Sequence, residues 1–245
     1  MADSEAHVSA DPDLAAVASA FADPRRIRVL MALCDGRALP AGRLAAEAGV
    51  AASTVSSHLS ILLAQNLVDV EQHGRSRYYR LATPEVEAVL EALAGLAPQR
   101  PITSLRQHTR AHALRTGRTC YRHLAGKLGV DLFQSMLSRG WVVGGDGRFR
   151  ADAGDRLSAP GTAIEYRLTA KGADRLAEFA LPQHLLRPGA ALSYCVDWTE
   201  QAHHLAGPLG TALTAAMFEA GWIVRGKTPR SVVATQSGER RLANL

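Results

Sequence analysis

Gly49-Val-Ala-Ala-Ser-Thr-Val-Ser-Ser-His-Leu-Ser-Ile-Leu-Leu63 combines a helical apolar stripe with a run of hydroxyl side chains. Val55, Leu59, Leu62 and Leu63 fall at i, i+4, i+7 and i+8, the apolar stripe of a helix. Ser53, Thr54, Ser56, Ser57, His58 and Ser60 surround that stripe, and no acidic residue occurs from Ala48 to Val68. Short hydroxyl side chains let a helix lie close to phosphates and base edges, where carboxylates would be repelled. Gly49 and Val50 make a tight turn after a short helix over 41–48, so the pair reads as helix-turn-helix.

Upstream, Asp23-Pro24 is a helix start, with Asp23 as N-cap and Pro24 at the first helical position. Ile27, Leu30, Met31 and Cys34 continue at helical spacing until Gly36, and Leu14, Val17, Ala18 and Phe21 form an earlier helix. Cys34 reads as a small buried hydrophobe. On the other side, two β-prone runs flank His73-Gly74-Arg75-Ser76 and read as a hairpin. Its tip presents Arg75 and Arg77, with Tyr78 or Tyr79 packing beneath. A helix-turn-helix followed by a basic-tipped hairpin is a winged helix.

These residues resemble the ArsR/SmtB family of bacterial repressors. The resemblance rests on Ala22-Asp-Pro-Arg-Arg26, Leu44-Ala-Ala46, Ser53-Thr-Val-Ser-Ser-His-Leu59, Leu67-Val68 and Gly74-Arg-Ser-Arg-Tyr-Tyr79, and covers about 13–96. It implies a homodimer joined by first and last helices, which binds a palindromic double-stranded DNA operator and releases it on sensing an effector. Family members often hold metal through a Cys pair before the recognition helix. Here that stretch, Leu39-Pro-Ala-Gly-Arg-Leu-Ala45, has no Cys. The last helix, 84–96, offers Glu85, Glu87 and Glu91 but no His or Cys for the family's other metal site.

The chain has 245 residues and a formal charge of +5, but its two parts differ in sign. Residues 1–97 are net −4 and residues 98–245 net +9, with the proline-punctuated Ala97-Pro-Gln-Arg-Pro101 between them. The expected domains are therefore a winged helix-turn-helix at 1–97 and a second region at 98–245. With 47% hydrophobic residues the composition is globular. No apolar run reaches the ~18 residues of a membrane span, and the opening MADSEAHVSADPD is acidic where a secretory leader is basic. Three Cys are too few for a disulfide framework, so a reduced, cytoplasmic protein is expected.

The second region repeats itself. His123-Leu-Ala-Gly126 recurs as His204-Leu-Ala-Gly207, and between 123 and 143 eleven of 21 residues are identical at an offset of 81, including Gly140-Trp141 against Gly221-Trp222. Thr169-x-x-Gly172-x-x-Arg175-Leu176 then matches Thr235-x-x-Gly238-x-x-Arg241-Leu242 at an offset of 66. The first copy therefore carries the longer inner loop, the Gly/Asp-rich 144–160. Repeat units of about 118–180 and 193–245 resemble two degenerate winged-helix-like units, and the whole chain reads as mainly α with small β-wings, an α+β protein.

Two further features lie there. Arg100, Arg106, Arg110, Arg115, Arg118, Arg122 and Lys127 occur within 98–130 without an acid, which suits DNA backbone, the acidic N-terminal region or an anionic effector. Cys120-Tyr-Arg-His123 and Cys195-Val-Asp-Trp-Thr-Glu-Gln-Ala-His203-His204 precede the repeated helices. Cys120, His123, Cys195, Asp197, His203 and His204 are thus candidates for a divalent metal or metalloid, for thiol redox chemistry or an organic ligand, with a core or helix-capping role as the alternative. The function read from the sequence is a DNA-binding repressor under the control of an unidentified effector. A constitutive architectural DNA-binder is the alternative; an enzyme is disfavoured, since 98–245 holds no Gly-rich phosphate loop, Ser/His/Asp set or paired-carboxylate motif.

Overall fold

A computed structural model describes residues 12–34, 36–97 and 104–243. The acidic opening up to Asp11, most of the proline-punctuated segment and Arg100 lie outside the described residues, as do the side chains of Glu91 and Arg106. The chain divides into two compact units, one reaching Leu33 and resuming over Ala38–Thr83, the other comprising Cys34–Arg37 and everything from Pro84 onward. The helix at 84–96 therefore groups with the second unit, not with the first as the expected boundary at 97 had it. No helix among the described residues is long and apolar enough to cross a membrane.

The first unit runs α1 (Leu14–Phe21), α2 (Pro24–Leu33), β1 (Leu39–Pro40), α3 (Ala41–Ala48), α4 (Ala52–Ala64), β2 (Val68–His73) and β3 (Ser76–Leu81). Asp23 starts α2 by accepting hydrogen bonds from the N–H groups of Arg25 (2.7 Å) and Arg26 (3.1 Å). α3 stops at Gly49, whose φ of +67° lets Val50 N–H reach the Ala45 carbonyl (3.0 Å). Leu30, Leu33, Leu44, Val55, Leu59 and Leu62 are buried together, each worth roughly 2 kcal/mol. The three strands are antiparallel in the order β1-β3-β2, and Tyr79 is buried on β3 opposite Leu39 and Val70. Gly74 and Arg75 form the two-residue turn between paired His73 and Ser76. This is a helix-turn-helix followed by a wing.

The second unit opens with α5 (Pro84–Leu96) and α6 (Leu105–Thr116) and then runs through the same element order twice. The first pass is β4 (Arg118–Cys120), β5 (His123–Ala125), α7 (Gly126–Ser138), β6 (Val142–Val143), β7 (Pro160–Leu168) and α8 (Ala170–Ala177). The second is β8 (Ala191–Asp197), β9 (Ala202–Leu205), α9 (Gly207–Glu219), β10 (Ile223–Arg225), β11 (Val232–Ala234) and α10 (Gln236–Ala243). A hairpin precedes each repeated helix.

The passes are interleaved. β6-β7-β8-β9 form one four-stranded sheet, so the second hairpin adds to the outer strands of the first pass. Reciprocally, the β4-β5 hairpin meets β10-β11 through an antiparallel bridge between Arg118 and Ser231. Gly129 on α7 makes room for the Leu124 carbonyl and His204 Cβ, and Gly210 on α9 does the same for the Leu205 carbonyl and His123 Cβ. Thr169 and Thr235 each cap a helix and bond back to the preceding Gly-Trp pair. One apolar core spans both passes, with Phe133, Met136, Tyr166, Leu213 and Met217 buried in it.

The cation run of 98–130 is only partly unopposed. Arg115 pairs with Glu200 (2.9 Å), Arg118 with Asp197 in the interior (2.9 Å) and Lys127 with Asp131 (2.9 Å). Glu200 and Asp197 lie far along the chain, so local sequence could not show those two pairs, whereas Lys127 and Asp131 are an i, i+4 pair at the edge of the acid-free window.

Candidate functional site

On α4, Ser53, Ser56, Ser57 and Ser60 are exposed and Thr54 is half-buried, giving one uncharged, hydroxyl-lined surface. Ser56 and Ser60 donate their protons to the helix carbonyls of Ala52 and Ser56 (both 3.1 Å), which leaves their oxygens outward as acceptors. His58 departs from expectation. Only 8% of it is exposed, because it shares the inward face with Val55, Leu59 and Leu62. It is not on the surface that α4 offers to solvent.

The wing supplies charge. Arg75 in the turn and Arg77 on β3 are exposed and meet no carboxylate among the described residues. Arg80, three residues further, is instead neutralised by Glu71 (2.7 Å) and Asp69 (3.5 Å). Tyr79 packs beneath the wing, while Tyr78 lies edge-on to His73.

In the second unit, Cys120, His123, Cys195 and His204 converge. One ligand atom from each lies within 4.8 Å of those of the other three. Register explains the meeting: Cys120 pairs across the first hairpin with His123, and Cys195 across the second with His204. The two imidazoles stand 5.1 Å apart, tilted by 33°. His123, Cys195 and His204 are buried, Cys120 is half-buried, and neither ring nitrogen of either histidine has a hydrogen-bond partner. Buried imidazole nitrogens left unpaired are costly, and an ion would satisfy one on each ring. Two thiols and two imidazoles are also the donor set that zinc-like ions take. None of the three cysteines is in a disulfide.

Burial, reinforced by the neighbouring His123, holds His204 well below the ordinary imidazole range and so favours the neutral ring, which has one nitrogen lone pair to offer a cation and one N–H to donate. A cleft of about 280 Å³, largely apolar, adjoins the cluster, with His123 and Cys195 on its wall beside Tyr121, Pro160 and Tyr194.

Asp197 and His203, which the sequence grouped with these four, are not cluster members. Asp197 accepts from Arg118 Nη2 (2.9 Å), Gly126 N–H (2.7 Å) and Thr199 (2.6 and 2.8 Å). Burial alone would raise its carboxyl, but Arg118 and these hydrogen bonds outweigh it and hold it down at about 2. Its Oδ2 lies 3.8 Å from His204 Nδ1, in the layer behind the cluster. His203 points to the opposite face of β9. Tyr166 Oη hydrogen-bonds its Nδ1 (2.8 Å), and its Nε2 meets Asp155 (2.8 Å). With both nitrogens satisfied, it belongs to a buried structural network that Tyr194 completes on Asp155 (3.0 Å). Asp155 and the two tyrosines gave no signal in the sequence, since each joins the network only through the tertiary fold.

Known proteins resemble the chain both in part and along most of its length. Residues 23–70 match the profile of the family described as bacterial regulatory protein, arsR family. Over 231 residues, 94% of this chain and 95% of the relative, the sequence is 36% identical to an uncharacterized HTH-type transcriptional regulator, YdfF, of Bacillus subtilis (strain 168). Over 80 residues it is 44% identical to the HTH-type transcriptional regulator CmtR of Mycobacterium bovis, covering 33% of this chain and 67% of that protein. Among solved structures, the cadmium metal-sensor CMTR of Mycobacterium tuberculosis is 38% identical with a TM-score of 0.28, covering 38% of this chain and all of that one.

Proposed function

This chain belongs to the ArsR family of bacterial transcriptional regulators, and we propose that it is a cytoplasmic homodimeric repressor whose hold on DNA is set by a metal or metalloid in its second unit. It is a DNA-binding transcriptional regulator. In the proposed mode the exposed face of α4, carrying Ser53, Thr54, Ser56, Ser57 and Ser60, enters the major groove, and Arg75 and Arg77 steady the wing on phosphate or minor groove. The observation that carries this reading is the pairing of an uncharged, hydroxyl-lined α4 with two wing arginines that meet no carboxylate among the described residues. Dimerisation is supported by the apolar side chains left uncovered on α1 (Leu14, Val17) and on α5 (Val89, Leu93, Leu96). Two such protomers would read a palindromic operator.

The second unit is proposed to be a duplication of degenerate winged-helix-like units, supported by its repeated element order and matched Gly and Thr contacts. Its Cys120, His123, Cys195 and His204 are proposed as the effector site, supported by their convergence and by the unpaired nitrogens of both buried imidazoles. A metal there would supply no chemistry beyond fixing four donors in one geometry, and so would favour one arrangement of the second unit over others.

The wing is the part to test first. Arg75→Ala with Arg77→Ala should weaken binding to an operator selected from random duplexes, and should flatten the plot of log affinity against log salt by about 2. An unchanged slope across a salt titration would remove the wing from the interface.

A further inference from the structure

Resting on the metal reading above, we infer that Cys120, His123, Cys195 and His204 form a closed tetrahedral site for a thiophilic divalent ion such as Zn²⁺ or Cd²⁺, in which His204 binds through Nε2 while Asp197 holds its Nδ1–H.

The closed geometry follows from the donors. Zinc bonds of about 2.3 Å to sulfur and 2.0–2.1 Å to nitrogen put tetrahedral donors roughly 3.3–3.8 Å apart. The four ligand atoms already lie within 4.8 Å of one another, so closure requires a contraction of about 1 Å. Each hairpin gives one Cys and one His from a single cross-strand pair, so neither can complete the site alone. The ion would therefore tie the first pass of the fold to the second. Four protein donors fill a tetrahedral ion, which marks a structural or sensing site; a catalytic ion keeps a position open. Calcium and magnesium demand oxygen donors, whereas the cluster offers two thiols and two imidazoles.

The assignment of nitrogens follows from what lies behind the ring. Asp197 Oδ2 is 3.8 Å from His204 Nδ1, too long for a hydrogen bond but placed to become one when the ring is drawn into position by an ion on its other nitrogen. A carboxylate behind a ligating histidine fixes the tautomer and orients the ring. Asp197 is itself rigid, anchored by buried Arg118 on β4 and by the N–H of Gly126, where α7 begins. It is a positioning residue that carries a change at the ion to the start of a helix.

Titrating the metal-free full chain with Co²⁺ is the test. One Co²⁺ per chain is expected, with the strong visible bands of tetrahedral cobalt and near-ultraviolet thiolate charge transfer. Both features should disappear in the Cys120→Ser/Cys195→Ser variant. Asp197→Asn should weaken Zn²⁺ affinity, measured by competition, about 10- to 100-fold. Since that variant leaves Arg118 buried beside a neutral side chain, ¹⁵N NMR of Zn²⁺-loaded wild type supplies an independent reading: His204 should carry its proton on Nδ1. Failure of the wild type to take up Co²⁺ would overturn the metal reading itself. Weak octahedral cobalt bands without thiolate charge transfer would overturn the closed site. Ligation through Nδ1, or full Zn²⁺ affinity in a folded Asp197→Asn chain, would overturn the role of Asp197 alone.

Discussion

Asp23 sits where the N-terminus of α2 leaves backbone N–H groups without intrahelical partners, and its carboxylate accepts two of them. Burial raises its carboxyl, but the Arg25 and Arg26 N–H groups, with the fields of His58 and Arg26, outweigh that and hold it below the usual 3.8. A depressed carboxylate stabilises the fold above its unfolded value and loses that contribution as pH falls through the folded one. Asp23→Ala should therefore cost about 1 kcal/mol at neutral pH. The gap to wild type in urea unfolding should close as pH drops below about 3.8; an equal gap at acid pH would mean the cost comes from packing. Single residues also mark how far local reading reaches. Asp23 was legible because a cap is a local event. His58 was assigned outward for its chemistry, although position 58 lies three after Val55 and four before Leu62, on the buried stripe. Asp197 and His203 looked like ligands by proximity in sequence, but strand alternation turns His203 away from His204 and Arg118 claims Asp197.

At the scale of elements, α2, α3, α4 and the wing could all be read, because each is defined by periodicity, a cap or a two-residue turn. The hairpins that carry the cluster could not. Cys120 and His123 are three residues apart, whereas Cys195 and His204 are nine apart, so only the ladder shows them as equivalent cross-strand pairs. The repeated Gly-x-x-Gly of 126–129 and 207–210 was legible as repetition, though its purpose was not: each second glycine admits a backbone carbonyl and the other pass's histidine. A Cβ on Gly210 would stand 2.7 Å from the Leu205 carbonyl on β9, which also carries His204. Gly210→Ala should destabilise the second unit by about 1–3 kcal/mol. Gly42→Ala in α3, where nothing lies within 4 Å, should instead stabilise the first unit by up to about 1 kcal/mol. Thermal unfolding of the two variants in parallel checks both signs, and a destabilised Gly42→Ala or a neutral Gly210→Ala would contradict this packing.

Across the whole molecule, net charge is a poor guide to the proposed DNA contact. The cationic surplus sits on residues 98–245, yet Arg115, Arg118 and Lys127 are matched by Glu200, Asp197 and Asp131 within their own unit. The unit that holds the helix-turn-helix belongs to the net-negative part, and the cations proposed to meet DNA are Arg75 and Arg77 of its wing. The second unit has one core shared by both passes and, among the described residues, one Cys/His cluster to which each pass brings half the donors, so an ion bound there would act on the unit as a whole. The most direct measurement is the affinity of the full chain for its selected operator, by fluorescence anisotropy, with Zn²⁺ and with chelator, for wild type and for Cys120→Ser/Cys195→Ser. A coupling of the usual allosteric size should weaken the wild-type complex about tenfold or more when Zn²⁺ is present and leave the variant unmoved. Equal wild-type affinity with and without Zn²⁺, or a variant that responds as the wild type does, would contradict it.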